Sequence, residues 1–193
     1  MVGGPESEIQ RALAADDLEA AATHAMRGYG PEVLGWLAAT TGDLTLADEA
    51  FSQLAEDLWK SLGGYRGEAS FRTWMYVLAR NALHRVRRMT QPAREELLSG
   101  ISEVAQRLRS ETRPWQQTAV KDRFAALREA LDESSQSLLI LRVDRGMKWD
   151  EIALILDEPG DPKTASARVR KRFSALKAKL VKMAADSGLT TSV

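Results

Sequence analysis

Between positions 65 and 81 the chain interleaves Tyr65, Phe71, Trp74 and Tyr76 with Arg66, Arg72 and Arg80, and the run ends on Asn81. Aromatic faces stack on unpaired bases, and guanidinium groups hold the phosphates between them. The chemistry offered is therefore that of gripping a nucleic-acid strand, with the Asn81 amide able to meet a base edge directly. His84, Arg85, Arg87 and Arg88 extend the cationic side, and Glu68 is the sole acid from position 66 to 94. A solvated basic face would also carry arginines, but it would ordinarily carry balancing acids. Trp74 lies on the apolar side with Phe71, Met75, Leu78 and Leu83, so it fits a core aromatic as well as a stacking platform. Tyr76 falls off that stripe and is the better candidate for touching DNA. His84 has neither a nucleophile nor an acid pair beside it, so it reads as a polar neighbour rather than a catalytic base.

A second constellation lies near the other end. Trp149, Asp150, Glu151, Ile152 and Ala153 open a short helix. A turn containing Pro159, Gly160 and Pro162 follows, and then a helix projecting Lys163, Thr164, Ser166, Arg168, Arg170, Lys171 and Arg172. From 163 to 182 there is no acid at all. A helix this basic, placed after a turn, fits the major groove, with its first residues at base edges and later ones on phosphate. No phosphate-loop glycine motif, metalloprotease helix or nucleophile–base pair occurs, so neither constellation points to an enzyme.

These residues need elements to position them, and almost all of the chain reads helical. Expected helices cover 7–25, ending near Gly28 and Gly30, then 31–42 with Pro31 at the first position, 47–62, and 70–88. They make a four-helix first domain over 7–90. Pro92 and Pro114 bracket a polar linker, 91–117, and a second domain over 118–184 holds helices near 119–131, 134–144, 150–156 and 163–184. The fold class is all-α, two small helical domains joined by a linker. The whole chain of 193 residues has no net charge, so sign is informative only locally, within a Debye length of about 8–10 Å. Residues 43–57 form an acidic stretch without a base. There is no cysteine for a disulfide or thiolate site, and His24 and His84 are too few for a histidine-rich one. No metal or cofactor is expected. No secretory leader pattern and no apolar run near the roughly 20 residues of a membrane span is visible, so a cytoplasmic protein is expected.

The run from Tyr65 to Asn81 resembles the second conserved region of extracytoplasmic-function sigma factors, the small promoter-reading subunits of bacterial RNA polymerase. Leu131 to Glu133, Leu138 to Arg142, Gly146 and Trp149 to Ala153 are similar to that family's fourth region, and Thr164 to Arg172 to its recognition helix. Together the two resemblances span roughly 10–90 and 118–182, in the family's order.

The resemblance implies several roles. Core RNA polymerase would dock on Asp48, Glu49, Ser52, Gln53, Glu56 and Asp57. The 63–68 loop, with Lys60, Tyr65 and Arg66, would capture a flipped-out base of the −10 element. Arg72, Tyr76, Arg80, Asn81, His84, Arg85, Arg87 and Arg88 would hold the melted strand. Lys163, Thr164, Ser166, Arg168, Arg170, Lys171 and Arg172 would read the −35 element. Core polymerase and promoter DNA are the implied partners, and an anti-sigma factor is a third.

Three features depart from the family pattern. Ser52-Gln53 stands where a Gln-Glu pair is usual, although Glu49 and Trp59 align. The helix-turn-helix turn is longer and carries two prolines. Lys148 replaces a capping serine, which predicts that Asp150 caps a shortened helix. The residues alone also admit a helix-turn-helix regulator that never touches polymerase, or else an enzyme or a purely structural helical adaptor.

Overall fold

The computed structural model describes residues 4–100 and 130–186, with side chains over 4–90 and 130–186. Every regular element among them is helical. The first domain contains α1 (Pro5–Ala14), α2 (Leu18–Thr41), α3 (Leu44–Ser61), a single 3-10 turn at Leu62–Gly64, and α4 (Phe71–Gly100). The second contains α5 (Glu133–Leu139), continued by a π-helical turn at Ile140–Asp144, then α6 (Trp149–Ile155) and α7 (Pro162–Asp186).

The expected break near 28–31 does not exist, and the chain breaks earlier. Asp16 takes a left-handed φ of 55°, and the Asp17 carboxylate accepts the Ala20 N–H to start α2. α2 then passes through Gly28, Gly30 and Pro31. Pro31 is exposed, so the bond its missing N–H cannot make is lost on the solvent side. The two glycines serve close packing instead. A Cβ on Gly28 would lie 2.5 Å from the Pro5 Cβ of α1, and one on Gly30 would lie 3.4 Å from the Phe51 ring of α3. α2 ends at Gly42, left-handed at φ 64°, and the Asp43 side chain accepts the Thr45 and Leu46 N–H groups to start α3.

α4 starts with Ser70, whose hydroxyl accepts the Thr73 N–H, while Glu6 of α1 reaches across to accept the Phe71 N–H at 2.9 Å. Its backbone stays helical to Gly100, through ten residues expected as linker; the rest of that linker and most of the 119–131 helix lie outside the described residues. α6 begins at Trp149, so the predicted Asp150 cap is also corrected. Lysine has no acceptor, and the bond runs the other way: the Lys148 N–H donates to the Glu151 carboxylate at 2.9 Å. Asp161 caps α7 by accepting the Lys163 and Thr164 N–H groups, with Pro162 at the first helical position.

The first-domain core is built on Val33, Trp36, Leu37, Leu54, Leu58, Phe71 and Met75, and the second on Leu138, Leu141, Met147, Ile152, Ile155 and Val169. These are not separate cores, because the buried residues form one continuous cluster. The domains meet where α5 packs on α2 and α6 packs on α4.

Candidate nucleic-acid interface

The 65–81 run folds as a loop feeding a helix, and its rings come together. Tyr65, Phe71 and Trp74 have centroids 4.9–5.1 Å apart. The Tyr65 hydroxyl donates to the Ala69 carbonyl at 2.6 Å, which closes the loop on itself. Burial, with the Glu6 charge second, raises its phenol above the ordinary value. Beside this cluster lies an open cavity of about 370 Å³ lined by Gly64, Tyr65, Arg66, Glu68, Ala69, Trp74, Val77 and Leu154. Arg66 and Arg88 are exposed with no ion-pair partner among the described residues, whereas Lys60 is exposed but pairs with Glu56.

Tyr76 departs from expectation. It is fully buried, edge-on to Trp36 at 5.3 Å, and burial pushes its phenol up to about 12. A helix bundled on two sides buries a wider arc than the apolar stripe suggested. Tyr76 presents nothing to a strand in this arrangement, which corrects its assignment as a surface contact.

The cations of α4 are mostly paired. Arg72 grips the Glu32 carboxylate of α2 through two bonds at 2.6 and 2.9 Å and donates to the Arg145 carbonyl of the second domain. The Glu32 pair raises its pKa further. Arg80 lies 3.5 Å from Asp157. Arg87 makes a two-pronged pair with Glu133 at 2.7 Å. Arg85 binds Asp57 of α3, where Gln53 also donates, so Asp57 and Arg85 form a strut between α3 and α4. Asn81 and His84 are exposed. Partial burial, then the Arg80 and Arg87 charges, lowers the His84 pKa and keeps its imidazole neutral near pH 7. A second cavity of about 300 Å³, lined by Trp36, Thr40, His84 and Ser137 among others, opens between the domains.

On α3, Asp48, Glu49, Ser52 and Glu56 are exposed, and Trp59 joins them with 58% of its surface free. At spacings of three and four, Glu49, Ser52, Glu56 and Trp59 share one helix face.

On α7, Lys163, Thr164, Arg170 and Lys171 face solvent and Ser166 donates back to the Pro162 carbonyl. Two of the cations turn toward their own domain instead. Arg168 donates to the Pro159 carbonyl at 2.6 Å, and Arg172 binds Glu158 at 2.7 Å as well as the Ser134 hydroxyl. They brace the long proline-bearing turn. Arg142, stacked 4.2 Å over Trp149, braces α6 in the same way.

Sequence reasoning missed Glu32, Trp36, Glu133, Ser137, Arg145 and Glu151, which join the domains. Trp36 donates to the Ser137 hydroxyl at 3.0 Å, Arg145 to the Glu32 carbonyl at 3.1 Å, and Thr73 to Glu151 at 3.0 Å. Nothing in their local spacing marks them, because each partner across the domains lies 46 to 113 positions away.

Among the described residues no helix is long and apolar enough to cross a membrane, and no cluster of three metal-ligating side chains occurs. The chain finds no match among curated proteins. The fold is similar to a chain in the solved structure of the sigma factor RpoE with the anti-sigma factor NepR from Bartonella quintana, at 12% identity and a TM-score of 0.58, covering 79% of this chain and 89% of that one. Residues 25–92, which hold the aromatic loop and the start of α4, match the family model of sigma-70 region 2. Residues 25–92 are therefore similar to sigma-70 region 2, and the chain shares its two-domain helical fold with that RpoE structure.

Proposed function

We infer that this chain is a promoter-specificity subunit of bacterial RNA polymerase, which binds the core enzyme, reads two promoter elements and helps open the strands between them. The observation that carries the reading is the coincidence of the region 2 match with the aromatic cavity and its exposed Arg66. A cavity of about 370 Å³ lies within the range of small-molecule sites, and extruding a base costs a few kcal/mol that stacking on Tyr65 or Trp74 would offset. Lys60, Asn81, His84 and Arg88 border the path of the strand beyond it. Arg72, Arg80, Arg85 and Arg87 join them only when freed from their carboxylates.

The exposed stripe of Glu49, Ser52, Glu56 and Trp59, with Asp48 beside it, is the surface offered to core polymerase. A large exposed tryptophan among carboxylates is the composition of an interface anchor with a charged rim. Gln53 and Asp57 support that helix from behind. α7 offers Lys163, Thr164, Ser166, Arg170 and Lys171 to the −35 duplex, and Arg168 and Arg172 set the angle at which it enters. Engagement of one element raises the effective concentration of the other domain at its own element. The chain performs no bond chemistry; nucleotide addition belongs to the polymerase. An anti-sigma factor is the second class of partner, as in the NepR complex of the similar structure.

Reconstitution tests this reading. Purified core polymerase with this chain should start transcription at a cognate promoter, and core alone should not. Binding to that promoter without restored initiation would favour a stand-alone regulator and overturn the sigma reading.

A further inference from the structure

We propose that Glu6 of α1 is a positioning residue for the aromatic loop. Its carboxylate fixes the junction of that loop with α4, and so prepares the cavity that receives an extruded base. The part in base capture rests on the function proposed above; the brace itself does not.

α1 lies ahead of the residues that match region 2, yet one of its carboxylates joins three helices. Glu6 Oε1 accepts the Phe71 N–H at 2.9 Å, and Oε2 accepts the Tyr29 hydroxyl of α2 at 2.9 Å. Phe71 is the first residue of α4, where an N–H has no partner within its own helix. The Ser70 hydroxyl takes the Thr73 N–H, so Glu6 is a second cap supplied from another element. A carboxylate there also meets the positive end of the helix dipole. Tyr29 is buried, and burial, then the bond to Glu6, raises its phenol well above the ordinary value, so it stays a donor. The neighbours of Glu6 set its height along α2. A Cβ on Gly28 would lie 2.5 Å from the Pro5 Cβ, and Ile9, one turn on, is fully buried.

The atoms that Glu6 fixes lie against the cavity. The buried Phe71 ring packs edge-on to Tyr65 at 4.9 Å and to Trp74 at 5.1 Å, and those two rings line the space assigned to a base. Gln10, one turn along α1 from Glu6, meets the Tyr65 hydroxyl. The 65–71 segment is thus held at both ends by residues that share one face of α1. A loop left unpinned would have to be ordered as the base arrives, and that ordering subtracts from affinity.

Substitutions separate the brace from ordinary packing. Glu6→Ala leaves the Phe71 N–H and the Tyr29 hydroxyl without their partner. Glu6→Gln keeps an acceptor for the first and a polar group for the second. Tyr29→Phe loosens Glu6 from behind without touching the cap. Glu8→Ala removes another carboxylate of α1, one that pairs with His24 at 3.3 Å instead. In the free chain, amide exchange over 65–72 should quicken about fivefold in Glu6→Ala, the effect of losing one part-buried bond. It should quicken less in Tyr29→Phe and hold the parent rate in Glu6→Gln and Glu8→Ala. In holoenzyme, 2-aminopurine is walked through the −10 element of a promoter on which the parent chain initiates. The midpoint of the signal from the extruded position should rise about fivefold in Glu6→Ala and return to the parent value in Glu6→Gln. Parent-like exchange in Glu6→Ala, or in Tyr29→Phe where Glu6→Ala has lost helicity, overturns the brace. Faster exchange with an unmoved 2-aminopurine midpoint overturns the positioning role and leaves the sigma reading standing. A parent chain that never initiates sinks that reading and the base-capture role together, while the exchange rates decide the brace on their own.

Discussion

Among single residues, the arginines of α7 divide by what they touch. Arg172 closes on Glu158, whose side chain is only 13% exposed, so truncation leaves a largely buried carboxylate without its partner. Arg172→Ala should lower the urea midpoint, by about 1 kcal/mol in stability because the guanidinium itself is partly in water. Arg170 is exposed and has no ion-pair partner among the described residues. Arg170→Ala should leave the midpoint in place and reduce the log–log salt slope of duplex binding by about 0.9, the value for one phosphate contact. Denaturation and salt titration of the two variants check both. Equal effects in both assays would erase the distinction between bracing and reading. Composition shows that both residues are cations; which one is already engaged depends on a fold in the turn twelve or more positions upstream.

Helices show where local signals suffice and where they mislead. Asp43 before α3, Ser70 before α4 and Asp161 before α7 are caps whose effect is local, and the helices start beside them. Gly28, Gly30 and Pro31 look like punctuation by the same rules, yet α2 runs through all three. Tertiary contact outweighs propensity there, because α1 approaches Gly28 too closely for a side chain and the Phe51 ring of α3 lies in contact distance of Gly30. Gly28→Ala is therefore the informative change. A helix interior would favour alanine by about 1 kcal/mol, while the collision with Pro5 costs about 1–3 kcal/mol. A net loss of about 1 kcal/mol is expected in the denaturation midpoint, and a gain would mean that α1 does not bear on α2 as described.

The whole molecule is a closed pair of domains sharing one buried cluster. Its interdomain ion pairs are partly solvent-exposed, and salt screens such pairs efficiently. The apolar contacts, the Trp36–Ser137 bond and the Arg145 insertion are not held by exposed charge. Raising salt from about 0.1 to 0.5 M should therefore leave the radius of gyration from small-angle scattering unchanged for the parent chain. Expansion over that range would place the closing energy in the ion pairs instead.

The all-helical class, the two charged modules, the turn before α7 and the aromatic loop before α4 were legible from residue order alone, since periodicity, capping and charge act over a few positions. The tertiary structure decided that Tyr76 is buried, that Arg168 and Arg172 brace their own turn, and that Arg80 and Arg87 face carboxylates from the other domain. Those outcomes depend on which surfaces meet across long stretches of chain, and contacts of that range leave no mark on local spacing.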